Sequence, residues 1–284
     1  MESELATTLS ARRSAPGRRA SPFRRHVNLT VELALTQFKL KYTGSVLGYA
    51  WSLLKPFFLF GITYAVFIYI LKVSGTEFGV QLLISIVLWT FFAEATSAAT
   101  SSIAGNGHLL RKAAFPRIVL VIASTLTPLI SFIINITLIV AVTWLIGHLH
   151  PGVRSLVVPL LLFEFYLLII GVGLILASLF VFYRDIGHLW EIFSQLLFYG
   201  SAIVFPFKLL ISHGHLARLV SVNPLAQIVE DMRRALVIAD PDVPWTLWVD
   251  GMPLFVVPLM LVAVLLAIGI LTFRRLSPRF AESL

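Results

Sequence analysis

Two carboxylates, Glu94 and Glu164, lie inside long apolar runs, where an ionised group is costly and is a functional candidate by default. In the topology described below both fall in the outer halves of their helices, where solvation can also keep them charged. His148 with His150 and His213 with His215 are ligand-type pairs in outer loops. No carboxylate stands beside them on a regular element, which suits solvated loops better than a metal site. Arg184 and Asp185 are adjacent and can pair with neighbours at a membrane surface. Cysteine is absent, which excludes disulfides, thiolate metal sites and cysteine nucleophiles. There is no GxxxxGK[ST] phosphate loop, GxSxG elbow, HExxH pair or Asp-rich cluster, so no catalytic or nucleotide-binding constellation is legible. The remaining distinctive chemistry is aromatic. Phe57, Phe60, Tyr64 and Phe67 share one helical face, and Phe193, Phe198, Tyr199 and Phe205 follow one another along a later apolar run. Aromatic faces stack on the C–H faces of sugars without demanding charge, so these rows suit a slide for a glycan; lipid contact and helix packing use the same residues.

The elements that must position these side chains are membrane helices. The chain has 284 residues, 58% of them hydrophobic and 13% charged, with a mean hydropathy of +0.91. That is more apolar surface than one soluble core of this length can bury. Apolar runs recur at 57–71, 80–103, 118–146, 156–182, 189–210 and 252–273. Roughly 20 residues cross about 30 Å of hydrocarbon, so the first run spans only if the Trp51 to Pro56 turn lies at or inside the interface. The strand alternation of a barrel is missing. The expected fold is an all-α integral membrane protein with six transmembrane helices.

Residues 1–27 are rich in Arg, Ser, Ala and Pro and read as a disordered basic tail near anionic headgroups. From Asn28, a candidate N-cap, Val31, Ala34, Leu35, Phe38 and Tyr42 share a face, which predicts an amphipathic interface helix over 28–43. The remainder, 44–284, reads as one transmembrane domain. At its start, Gly44 and Gly48 permit close helix approach or a turn, Trp51 suits the headgroup boundary, Lys55 can snorkel, and Pro56 bends the entering helix. Between the second and third runs, Gly105 and Gly107 break the helix, His108 to Ala114 can form about two turns, and Pro116 sets the next start. Such a short helix obeys the positive-inside rule and can also serve as a lever for a soluble motor. Residues 205–245, divided by Pro206, Pro224 and Pro241, suit two short helices that dip in and turn back.

Charge orients the chain. Cytoplasmic termini put the tail arginines, Lys39, Lys41, Lys55, Arg111, Lys112, Arg117, Arg184, Arg274, Arg275 and Arg279 inside. Lys72, Arg154, Lys208, Arg218, Arg233 and Arg234 fall outside. The net charge of +8 sits at membrane edges, so lipid headgroups, not nucleic acid, are the expected partner.

"FKLKYTGSVLGYAWSLLKP", "GNGHLLRKAAFPR", "YRDI", "AIVFP" and "NPLAQIVEDMRRAL" resemble, in order and spacing, the permease subunit of ABC-2 type polysaccharide exporters of O-antigen, teichoic acid and cell-wall galactan. The resemblance covers almost all of the chain beyond residue 27. It implies a bacterial cytoplasmic-membrane subunit that dimerises, binds two copies of a separate ATPase carrying ATP and Mg, and itself binds no cofactor and catalyses nothing. It further implies roles by position. Val31, Leu35 and Phe38 of the interface helix, the coupling helix within 105–117 (His108, Leu109, Leu110, Arg111, Lys112), and Arg184 with Asp185 would meet the ATPases. Gly44, Gly48 and Pro56 would form a hinge. Phe57, Phe60, Tyr64, Phe67, Phe198 and Tyr199 would line a glycan channel on the dimer axis. Pro206, Asn223, Pro224, Arg233 and Arg234 would belong to a re-entrant outer gate between spans five and six. Arg111, Lys112 or Arg234 would attract the diphosphate of a polyprenyl-linked polysaccharide. An Arg-rich, Lys-poor composition points to a GC-rich genome and so to galactan. The alternative is an ABC-2 exporter of a drug or small lipid. A membrane glycosyltransferase or acyltransferase would need a carboxylate or histidine constellation, and a secondary transporter would need repeat symmetry with paired intramembrane charges.

Overall fold

The computed structural model describes residues 22–44, 47, 48, 50–72, 76–107, 116–147, 152–201, 203, 204, 220, 222–237 and 256–283. All regular structure among them is helical. In chain order the elements are α1 (Pro22–Tyr42), α2 (Ala50–Ala65, continued by a π turn at Val66–Ile70), α3 (Thr76–Gly105), α4 (Ile118–Leu145) and α5 (Val158–Phe182). There follow α6 (Ile186–Gly200), α7 (Pro224–Leu236), α8 (Val256–Leu276) and a short C-terminal α9 (Phe280–Ser283).

Five segments among the described residues are long and apolar enough to cross a membrane: Ala50–Ile70, Glu77–Gly105, Ile118–Leu145, Val153–Phe182 and Val256–Arg279. The expected fifth span is represented by α6, whose 15 residues rise only about 22 Å, short of the hydrocarbon thickness. The rest of that run, from 205, lies outside the described residues, as do the helical turns expected at 108–114 within the coupling segment 105–117 and the first of the two expected re-entrant helices. The first span begins at Ala50, so Trp51 to Pro56 is helix and not a preceding turn. α1 begins at Pro22, since proline is preorganised for a first helical turn. Asn28 is therefore an interior residue and not the N-cap, and residues 22–27 belong to the helix instead of the tail.

The bundle core is aromatic at its centre. Phe91 of α3 stacks on Phe132 of α4 at 4.6 Å and meets Phe165 of α5 edge-on at 5.6 Å, while Phe92 and Trp190 extend the cluster towards α6. Trp190 Nε1 donates to Thr96 Oγ1 at 3.1 Å, which satisfies the one polar atom of a buried indole. α5 and α8 approach backbone to backbone: a Cβ built on Gly269 would lie 2.5 Å from the Gly171 carbonyl oxygen. α1 packs along α4, burying Ala34 and Phe38, and Thr127 Oγ1 donates to the Ala34 carbonyl. Val31 and Leu35 of α1 remain exposed.

Candidate functional site

The elbow between α1 and α2 depends on backbone conformation. Gly44 has φ +81° and Gly48 +44°, the left-handed region where a side chain is strained. A Cβ on Gly44 would meet nothing within 4 Å, so within the chain Gly44 turns the backbone and does not admit a neighbouring helix. Pro56 sits buried inside α2 and, lacking an N–H, leaves the Ser52 carbonyl without its helical donor. Asn135 of α4 supplies one: its Nδ2 donates to Ser52 O at 3.0 Å.

Glu94 was expected in the outer half of its helix; it lies instead in the half nearer Gly105, beside the N-terminal helix. Lys41 Nζ of α1 donates to Glu94 Oε2 at 2.9 Å, tying the elbow to the second span. Glu164 is half-buried on α5, near Asp231 of α7.

The aromatic row on α2 turns mostly inward within the protomer. Phe60 stacks on Tyr64 at 5.3 Å, and Tyr64 and Phe67 face Phe78 of α3 at 6.4 and 5.3 Å. Phe67 is buried, while Phe57 is exposed. On α6, Phe198 packs against Trp89 at 5.3 Å and Tyr199 is exposed. Arg184 and Asp185 are exposed in the turn between α5 and α6, with the Arg184 guanidinium 5.2 Å from the centre of the Phe180 ring. The geometry thus brings together Phe60, Tyr64, Phe67 and Phe198 in one apolar cluster and leaves Phe57 and Tyr199 on the surface.

α7 is the element whose setting departs most from its composition. Asn223 caps it, accepting from Leu225 N at 3.0 Å while its Nδ2 donates to Ser201 Oγ at 2.8 Å, and Pro224 opens the first turn. Every residue from Leu225 to Leu236 is buried, charges included. Arg233 donates to Ser85 Oγ and the Gln81 carbonyl on α3, to the Ile203 carbonyl beyond α6, and to Glu230 Oε2 at 3.1 Å. Arg234 pairs with Glu230 Oε1 at 3.3 Å, and Gln227 Nε2 donates to Asp231 Oδ2. Burial pushes the Arg233 pKa below its ordinary value, and Glu230 opposes that shift. Arg233 thereby clamps α7 to α3 and to the segment after α6, while Arg234 pairs within α7. His108 to Lys112, Pro206 and the four loop histidines lie outside the described residues. Among those described, no group of His, Asp or Glu could hold a metal.

Sequence reading missed Lys41 with Glu94, Asn135 with Ser52, and Ser85 with Arg233. The one signal available was Pro56 in an apolar helix, which announces an orphaned carbonyl four residues earlier.

Comparison with known proteins agrees with this architecture. An O-antigen export system permease protein of Klebsiella pneumoniae is 23% identical over 260 residues, covering 90% of this chain and 95% of the relative. A second from Klebsiella pneumoniae is 24% identical over 259 residues, with the same coverage. One from Myxococcus xanthus is 22% identical over 201 residues, covering 71% of this chain and 77% of its own length. The family model for the ABC-2 type transporter matches residues 29–237, from within α1 to the end of α7, and the chain belongs to that family.

Proposed function

We propose that this chain is the membrane-spanning subunit of an ATP-driven exporter of lipid-linked polysaccharide of the O-antigen type. It acts as a pair of identical chains with two copies of a separate ATPase, which holds the ATP and Mg. The observation that carries the reading is the likeness to O-antigen export permeases over 90% of the chain. This also favours a glycan over the drug or small lipid of the alternative.

In the mechanism, closure of the ATPases pushes α1 and the coupling helix at 108–114, with the Arg184–Asp185 turn as a second contact. The Gly44–Gly48 elbow passes that motion to α2, and the Lys41–Glu94 pair passes it to α3. A pore opens on the dimer axis, and the polyprenyl-diphosphate-linked chain moves outward past exposed aromatics. Both termini face the cytoplasm, residues 205–245 close the outer end, and galactan is the cargo that the Arg-rich composition favours.

The test is co-purification with the candidate ATPase, followed by ATP-dependent uptake of lipid-linked glycan into proteoliposomes, with Arg111→Glu and Lys112→Glu together as control. A stable complex with ATP-dependent movement, weakened by the charge reversal, is expected. A chain that moves or modifies glycan without any ATPase overturns the reading.

A further inference from the structure

Two cavities of about 680 Å³ each open on the described residues, and they differ in chemistry. One, between α5, α6 and α8, is lined almost wholly by apolar side chains. The other lies where α1, α2, α3 and α4 meet, and its wall carries Gln37, Lys41, Lys55, Glu94, Ser97 and Ser101. The second is a polar hollow among helices that are otherwise apolar.

Its charge is unbalanced. Lys41 is paired with Glu94, the one carboxylate of the lining. Lys55 is exposed and has no ion-pair partner among the described residues. One positive charge is therefore left over. Glu94, Ser97 and Ser101 recur at helical spacing along one stripe of α3 and line the same cavity as Lys55. A smaller adjoining cavity shares Glu94 and Pro128 and contains Asn135, which is 5% exposed and whose Oδ1 has no hydrogen-bond partner there. The polar character thus continues inward from the mouth.

The occupant has an apolar part as well. Phe58, Ile62, Val66 and Tyr69 follow Lys55 along the same face of the first span and are 62%, 67%, 40% and 81% exposed. Lys55 on the cavity wall is thus the first residue of an exposed, mainly apolar stripe along that span. We propose that this cavity binds the head group of an anionic phospholipid, its phosphate on Lys55, its polar head on Ser97 and Ser101, and a hydrocarbon chain along the Phe58 to Tyr69 stripe. The single excess charge matches a phosphodiester with one negative charge better than a diphosphate, which distinguishes this lipid from the proposed cargo. The bound lipid fills the joint between α1 and α2, where it links the elbow to the bilayer.

The test uses the full chain in nanodiscs containing both phosphatidylcholine and phosphatidylglycerol, with lipids that stay bound counted by native mass spectrometry. Phosphatidylglycerol should be retained in preference to phosphatidylcholine. Lys55→Gln should reduce that preference roughly fivefold, and Lys55→Arg should keep it. Glu94→Gln removes the only carboxylate of the lining and should raise the preference, a gain that misfolding does not produce. A parallel sample with polyprenyl diphosphate in place of phosphatidylglycerol separates the sources. Tighter retention of the diphosphate, or a phosphatidylglycerol preference unchanged by both Lys55→Gln and Glu94→Gln, overturns the proposal. No ATPase or transport is involved, so the outcome is independent of the export reading.

Discussion

Pro56 cannot donate to the Ser52 carbonyl, and the compensation comes from Asn135, more than 80 positions away in sequence. A helix carbonyl that loses its N–H donor still needs one, and the Asn135 amide fills the need that Pro56 creates. Replacing Asn135→Leu should destabilise the protein by about 1–3 kcal/mol, read as a fall in Tm in detergent. Pro56→Ala restores an N–H at the right position, so in that background the Asn135→Leu loss should shrink by about 1 kcal/mol. Equal losses in both backgrounds would show that the two residues are energetically independent. The same logic explains why Asn135 was unremarkable as a letter in an apolar run: its purpose is set by a proline on another helix.

At the scale of elements, α7 shows what sequence does and does not disclose. The apolar runs were legible because hydrocarbon demands them, and the described spans coincide with five of the six expected, the first starting earlier than its apolar run. Lys55 and Pro56 hid the true start of α2 at Ala50. The stretch "VNPLAQIVEDMRRAL" reads as a short helix, and α7 is one. Its complete burial was not legible, because the groups that satisfy Arg233 are the Gln81 carbonyl and Ser85 on α3 and the Ile203 carbonyl beyond α6, far away in the chain. Arg233→Met should therefore cost about 3 kcal/mol or more, since it leaves Glu230 with one arginine and strands buried acceptors. Thermal unfolding checks this against Arg184→Met, an exposed position where little change is expected. A similar Tm for both variants would mean that α7 is held by its apolar contacts alone.

Across the whole molecule, the internal pairing of Arg233 and Arg234 with Glu230 also alters the charge tally: two of the six basic residues assigned to the outer side are not free loop charges. The aromatic rows divide in the same way, into side chains that build the protomer and side chains that remain available to whatever lies beside it. Phe67 is 3% exposed, whereas Phe57 and Tyr199 are 39% and 65% exposed. A slide for sugars requires exposed rings, so export should depend on the second set and folding on the first. Phe67→Ala should lower stability by about 3–5 kcal/mol, visible in Tm before any transport is measured. Phe57→Ala with Tyr199→Ala should leave Tm unchanged and slow ATP-driven glycan uptake by the reconstituted complex, because both variants remove an exposed ring on which a sugar could stack. Unchanged uptake by that double variant, in a complex with normal ATPase activity, would assign the exposed rings to lipid and helix contact and leave the glycan path to other residues.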